Sequence, residues 1–147
     1  MMIFLVIRFL HILSAAAWLG AAIWVAGDAR RTLSLGKPYI EALPARIAPA
    51  LKLDLWAGVA TVLTGLIYIA ALGGRPRLGV MIGFGLAVLR VGLTGGFLLP
   101  SFRGLASRIS SGKEVKPNDF SVKGMALFTG VNHVLWVGAL VAMVGRF

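Results

Sequence analysis

The chain has 147 residues, 59% of them hydrophobic, with 15 lysines and arginines against five aspartates and glutamates, a formal charge of +10. A soluble domain of this length cannot hide that much apolar surface in one core, so lipid must cover much of it. Cysteine is absent, which excludes disulfides, thiolate metal sites and covalently attached haem. The positive charge falls between apolar stretches, as the positive-inside rule describes, so nucleic acid is not the expected partner.

Four stretches are long enough to cross a bilayer: residues 2–26, 53–72, 78–99 and 124–144. The first lacks the basic start of a signal peptide and has the length of a full span, so it is taken as a transmembrane helix. The connection over residues 27–52 carries Arg30, Arg31, Lys37, Arg46 and Lys52. Pro38, Pro44 and Pro49 interrupt it, so any helix there is expected to be short. The second connection is the tight Gly-Gly-Arg-Pro-Arg turn of residues 73–77. The third, over residues 100–123, opens with a weakly amphipathic turn or two at Phe102, Leu105 and Ile109. It then loosens into a flexible connector, and carries Arg103, Arg108, Lys113, Lys116 and Lys123. Five basic residues in each of the first and third connections against two in the second predict an orientation. Both long connections lie in the cytoplasm and both termini on the non-cytoplasmic side. The expected fold is therefore all-α, a single four-helix bundle integral to the bacterial inner membrane.

The polar residues inside the spans carry the functional signal, because ionisable groups in hydrocarbon are expensive. Counted from the non-cytoplasmic surface at 1.5 Å per residue, His11 lies ~15 Å deep, His133 ~17 Å and Arg90 ~18 Å, which suggests one shared level. The face around His11 holds Arg8, Ser14, Ala15 and Trp18; that around His133 holds Thr129, Gly130 and Trp136. The carboxylates Asp28, Glu41, Asp54, Glu114 and Asp119 lie in or beside the connections, and no catalytic residue or hydrolytic site is assigned. Gly79/Gly83 and Gly92/Gly96 are both spaced as GxxxG and suit close helix packing.

Two facing imidazoles best suit a b-type haem. His11 and His133 would be its axial metal ligands, Arg8 and Arg90 its propionate partners, and Trp18, Thr129 and Gly130 its walls. Copper is the alternative, although Met81, Met125 and Met143 are scattered. A third reading makes the chain a structural or accessory subunit of a membrane complex, with the two histidines merely bridging helices. Its partners would be the bilayer, with a redox partner, a larger complex or a second copy of the chain.

The stretch Leu10-His11-Ile12-Leu13-Ser14-Ala15-Ala16-Ala17-Trp18-Leu19-Gly20 resembles the opening of the CopD-like proteins. It is also similar to the related HemJ-type membrane proteins, linked to protoporphyrinogen oxidation. Both share a first-helix histidine followed seven residues later by tryptophan and then a small residue. The likeness extends more loosely to Thr64-Gly65-Leu66. It implies a ligating role for His11 and, on the HemJ side, a membrane oxidoreductase. Where that type carries a lysine in the third helix, this chain has Arg90.

Overall fold

The computed structural model describes residues 2–71, 73, 76–116 and 119–145. Arg75, counted in the loop-charge reading, lies outside the described residues, as does part of the 73–77 turn. The architecture is all-helical. Helix α1 covers Met2–Ala22, α2 Val25–Leu35, α3 Leu43–Ala71, α4 Leu78–Leu93, α5 Leu99–Ser110 and α6 Phe120–Val144. A 3₁₀ turn at Tyr39–Ala42 precedes α3, and a π turn at Thr94–Leu98 joins α4 to α5. Among the described residues four helices are long and apolar enough to cross a membrane.

The spans sit where hydropathy puts them, but the connections are more ordered than expected. Helix α1 stops at Ala22, after 21 residues or about 31 Å, enough to cross the hydrocarbon. The Ile23-Trp24 turn then redirects the chain into α2, whose Asp28 sits in the first turn, the favourable end of the helix dipole. Helix α3 begins ten residues earlier than the hydrophobic run and passes through Pro49. Pro44 occupies the first turn, where no N–H is required. Pro49 deprives only the carbonyl of Ala45, and both residues are exposed, so water can take that bond. The weak amphipathic turn at Phe102, Leu105 and Ile109 is a full helix, α5. Pro100 near its start lacks the donor that the carbonyl four residues back would use, and the ladder widens there, with the Leu99 N–H bonding Thr94.

These additions build a core at one end of the bundle. Val25 and Leu33 of α2, Leu43, Ile47 and Leu51 of α3, Phe102 and Leu105 of α5, and Met125 of α6 form the largest buried apolar cluster. Along the spans the outer faces stay exposed, as lipid-facing surfaces do.

Two tight helix pairs make up the bundle, α1 with α3 and α4 with α6. In the first, Trp18 and His11 of α1 pack over Gly58 and Gly65 of α3. A Cβ at Gly58 would lie 2.7 Å from the Trp18 ring, and one at Gly65 3.2 Å from the His11 ring. The seven-residue spacing of the two large side chains thus meets an antiparallel seven-residue spacing of glycines. In the second pair, a Cβ on Gly79 would run into the carbonyl of Ala142, and one on Gly83 would lie 2.6 Å from Met143 and 2.8 Å from the Ala139 carbonyl. Gly79/Gly83 is thus a close-packing seam. Gly92/Gly96 is not, since a Cβ on either would meet no neighbouring group within 4 Å.

Gly83→Ile should therefore lower the unfolding temperature in detergent, with an overpacking cost of ~1–3 kcal/mol. Gly92→Ala should leave it unchanged or raised. Equal effects of the two would show that the seam is misplaced.

Candidate functional site

Two polar constellations lie within the spans, at different levels. The deeper one is built on a carboxylate that the sequence reading grouped with the loops. Asp54 is fully buried, and its Oδ1 accepts from Arg90 Nη2 at 2.8 Å, both side chains having no exposure. Asp54 Oδ2 accepts from the Thr94 hydroxyl at 3.0 Å, and the Thr94 oxygen accepts from Asn132 Nδ2 at 3.0 Å. The Arg90 guanidinium lies over the Trp18 indole, 4.3 Å from its centroid, and Nη2 reaches toward the Trp18 carbonyl at 3.4 Å. This node ties α1, α3, α4 and α6 together. Thr94 opens the π turn, so the widened ladder belongs to the same site. Asp54, grouped with the connections by its position in the sequence, is thus buried inside the bundle. The missed signal was simple: a mid-span arginine needs a counter-charge, and Asp54 is the one carboxylate that falls inside a predicted span.

The node is rich in unsatisfied groups. Arg90 Nε and Nη1, Asn132 Oδ1, His133 Nε2 and Trp18 Nε1 are buried with no hydrogen-bond partner among the described residues. Each costs on the order of 1–3 kcal/mol unless something meets it. His133 Nδ1 lies 2.7 Å from the Thr129 carbonyl, so it must donate, and Nε2 carries the lone pair.

The shallower constellation surrounds His11. Its Nδ1 lies 3.1 Å from the Thr61 carbonyl and 3.1 Å from Thr64 Oγ1. The Thr64 hydroxyl gives its own hydrogen to the Ala60 carbonyl at 2.6 Å, so both partners of Nδ1 are acceptors. Nδ1 therefore carries the proton and Nε2 the lone pair. Thr61 Oγ1 and Ser14 Oγ, 3.0 Å apart, tie α1 to α3 beside the ring. A cavity of about 720 Å³ opens next to it, lined by Arg8, His11, Ile12 and Trp18 of α1, Gly65 and Tyr68 of α3, Phe84 of α4 and Trp136 of α6, among others. That volume and its mostly apolar wall, with few polar groups, suit a small-molecule or cofactor pocket.

Of the sequence-predicted residues, Arg8, His11 and Trp18 line this cavity, whereas His133, Arg90, Thr129 and Gly130 do not. Thr129 is buried at the α2/α5 end, beside Val25, Ala29 and Met125. The shared level is split because the helices are offset. His11 meets α3 at Thr61–Gly65, while Arg90 bends down to Asp54, seven to ten residues or about 10–15 Å further along that helix. Trp18 is the wall between them, facing the cavity and stacked against Arg90. No group of three or more His, Cys, Asp or Glu side chains gathers to hold a metal ion among the described residues. No family model, curated protein or solved structure matches the chain.

Asp54→Leu should destabilise the protein by ~3–5 kcal/mol, because Arg90 is left buried without its counter-charge. Asp54→Leu combined with Arg90→Met should recover wild-type stability or exceed it. Thermal unfolding followed by circular dichroism checks both. A single variant that melts like wild type would mean the pair does not hold the helices.

Proposed function

We propose that this multi-pass membrane protein holds a b-type haem in the cavity between its four spanning helices and works in one-electron transfer. The observation that carries this reading is the state of His11. Its Nδ1–H is fixed by two acceptors of α3, and its unprotonated Nε2 is left without a hydrogen bond on a residue that lines the cavity. A ligating histidine is held in this way by its outer partners. Gly65 gives the ring room, Tyr68, Phe84 and Trp136 supply flat apolar wall, and Arg8 offers a cation to a carboxylate. When bound, the haem supplies reversible electron exchange at its iron. The protein's part is to orient one imidazole and to keep the pocket apolar. The resemblance of the first helix to CopD-like and HemJ-type proteins supports the same role for His11.

The geometry favours a single protein ligand. For His133 to supply the second, α6 would have to turn that imidazole, whose Nε2 is buried outside the cavity lining, into the cavity. Copper is less favoured, because among the described residues Met143 is the one other soft donor in the cavity lining and no group of three His, Cys, Asp or Glu side chains gathers there.

Purified protein supplied with haem should show a Soret band that His11→Ala removes and His133→Ala keeps. Thr64→Val, which takes one partner from Nδ1, should weaken haem binding by about tenfold, the lower end of the ~10–100-fold range for such supports. A band that depends on His133 and not on His11 would reverse the assignment. A colourless protein carrying stoichiometric copper would replace it.

We further propose that α2 and α5 face the cytoplasm of a bacterial inner membrane and that both termini lie outside, a reading supported by the basic residues of the first and third connections. The chain lacks cysteine, so single introduced thiols report cleanly. In intact cells an impermeant maleimide should label Gly73→Cys and not Lys113→Cys. The opposite pattern would invert the orientation.

A further inference from the structure

The ring of four spanning helices is not equally closed on all sides. Between α1 and α3 the glycines at 58 and 65 bring the helices together around Trp18 and His11. Gly79 and Gly83 do the same between α4 and α6. Asp54, Arg90 and Thr94 bind α3 to α4. Helices α1 and α6, by contrast, barely touch. The exposure of the cavity lining points to the same side. The lining residues of α3 and α4, Val62, Tyr68, Ile69, Val80 and Phe84 among them, are buried or half-buried. Of those on α1 and α6, Ile12 is 57% exposed, Leu140 46% and Val144 73%, although all three line the cavity. Ala16 is exposed there as well, and its small side chain leaves the gap wide.

Along the bundle axis the cavity is a dead end. Trp18, 2% exposed, and Ala87 close its floor, and the Asp54–Arg90 pair lies behind them. Toward the other end the lining includes Arg8, exposed and cationic. A through-path for ions or water is thus blocked, while a side opening faces the hydrocarbon.

We infer that the cavity is filled laterally from the bilayer through the α1–α6 seam, and that its ligand is a lipid-dissolved, flat amphiphile whose anionic group stays beside Arg8. This rests on the haem reading for the ligand's identity, but the opening itself follows from the packing. The order of events is then set by chemistry. The apolar body slides between Ile12 and Leu140, the carboxylates remain near Arg8 at the bilayer margin, and the ring system comes to rest against His11 Nε2. The binding site is one that exchanges its ligand with the membrane, and haem would be loaded and released by this route.

The test bridges the seam. Ala16→Cys and Leu140→Cys in this cysteine-free chain, reconstituted in phosphatidylcholine vesicles, are joined by a short bismaleimide. Haemin delivered from donor vesicles is the probe, followed by its absorbance. Bridging should slow loading roughly tenfold or more, within the range over which association rates vary in related complexes. The same double variant without the bridge is the reference for this comparison, and haemin bound before bridging should be retained longer. Loading at one rate with and without the bridge would overturn the lateral route.

A second readout does not depend on haem. Trp24→Phe and Trp56→Phe remove the two exposed tryptophans, leaving the half-buried Trp136 in the cavity wall and the buried Trp18 in its floor. Brominated phosphatidylcholine should quench Trp136 in the unbridged protein and much less in the bridged one. Bridge-sensitive quenching without any haemin uptake by wild type would keep the opening and discard haem. Quenching indifferent to the bridge would discard the opening, whatever binds.

Discussion

A guanidinium and a carboxylate, 2.8 Å apart and without exposure, sit among four helices whose other side chains are almost all apolar. An isolated charge there would be intolerable, so the positions of α3 and α4 are constrained to those that bring Asp54 to Arg90. The pair is a poor source of net stability, since desolvation consumes most of the attraction. Its value is in register. Thr94 from the π turn and the Trp18 indole from α1 attach to these two charges directly, and Asn132 from α6 joins through the Thr94 hydroxyl. One offset among the four helices satisfies all of them, and that offset creates the cavity above Trp18.

The broad fold was legible because hydropathy and loop charge are long-range averages. Four spans and an all-helical chain follow from them, whereas the helical order of the connections does not. What escaped were local substitutions of one rule by another. Pro49 marks a break in isolation, yet it lies on the exposed side of a helix, where water can take the bond it leaves. Pro100 marks an end, yet a π turn lets the helix continue. Of two GxxxG pairs with identical spacing, one meets a carbonyl of the next helix and the other meets nothing; spacing alone contains no information about what lies opposite.

The candidate site was half legible. His11, Trp18 and Arg8 were identified as residues too costly or too large to be incidental, and they do share one cavity. His133 and Arg90 were placed with them by counting residues from each span's end, a count that assumes helices entering the membrane flush. The bundle is staggered, and a long arginine side chain reaches a turn or more from its own Cα. The pairing of His11 with Gly65 and Trp18 with Gly58 was present in the sequence as two matching heptads on antiparallel helices. It becomes visible only once α1 and α3 are known to be neighbours.

Structure and proposed function meet at one ring nitrogen. The node below Trp18 fixes the helices, the helices fix Thr61 and Thr64 beneath His11, and those acceptors hold the imidazole with its lone pair outward. The central claim is that one histidine, and not two, stands ready at the cavity. Electron paramagnetic resonance of the ferric haem-loaded protein tests it most directly. One imidazole ligand predicts an axial high-spin signal that His133→Ala leaves unaltered. A low-spin signal of two imidazoles, lost on replacing His133, would contradict it.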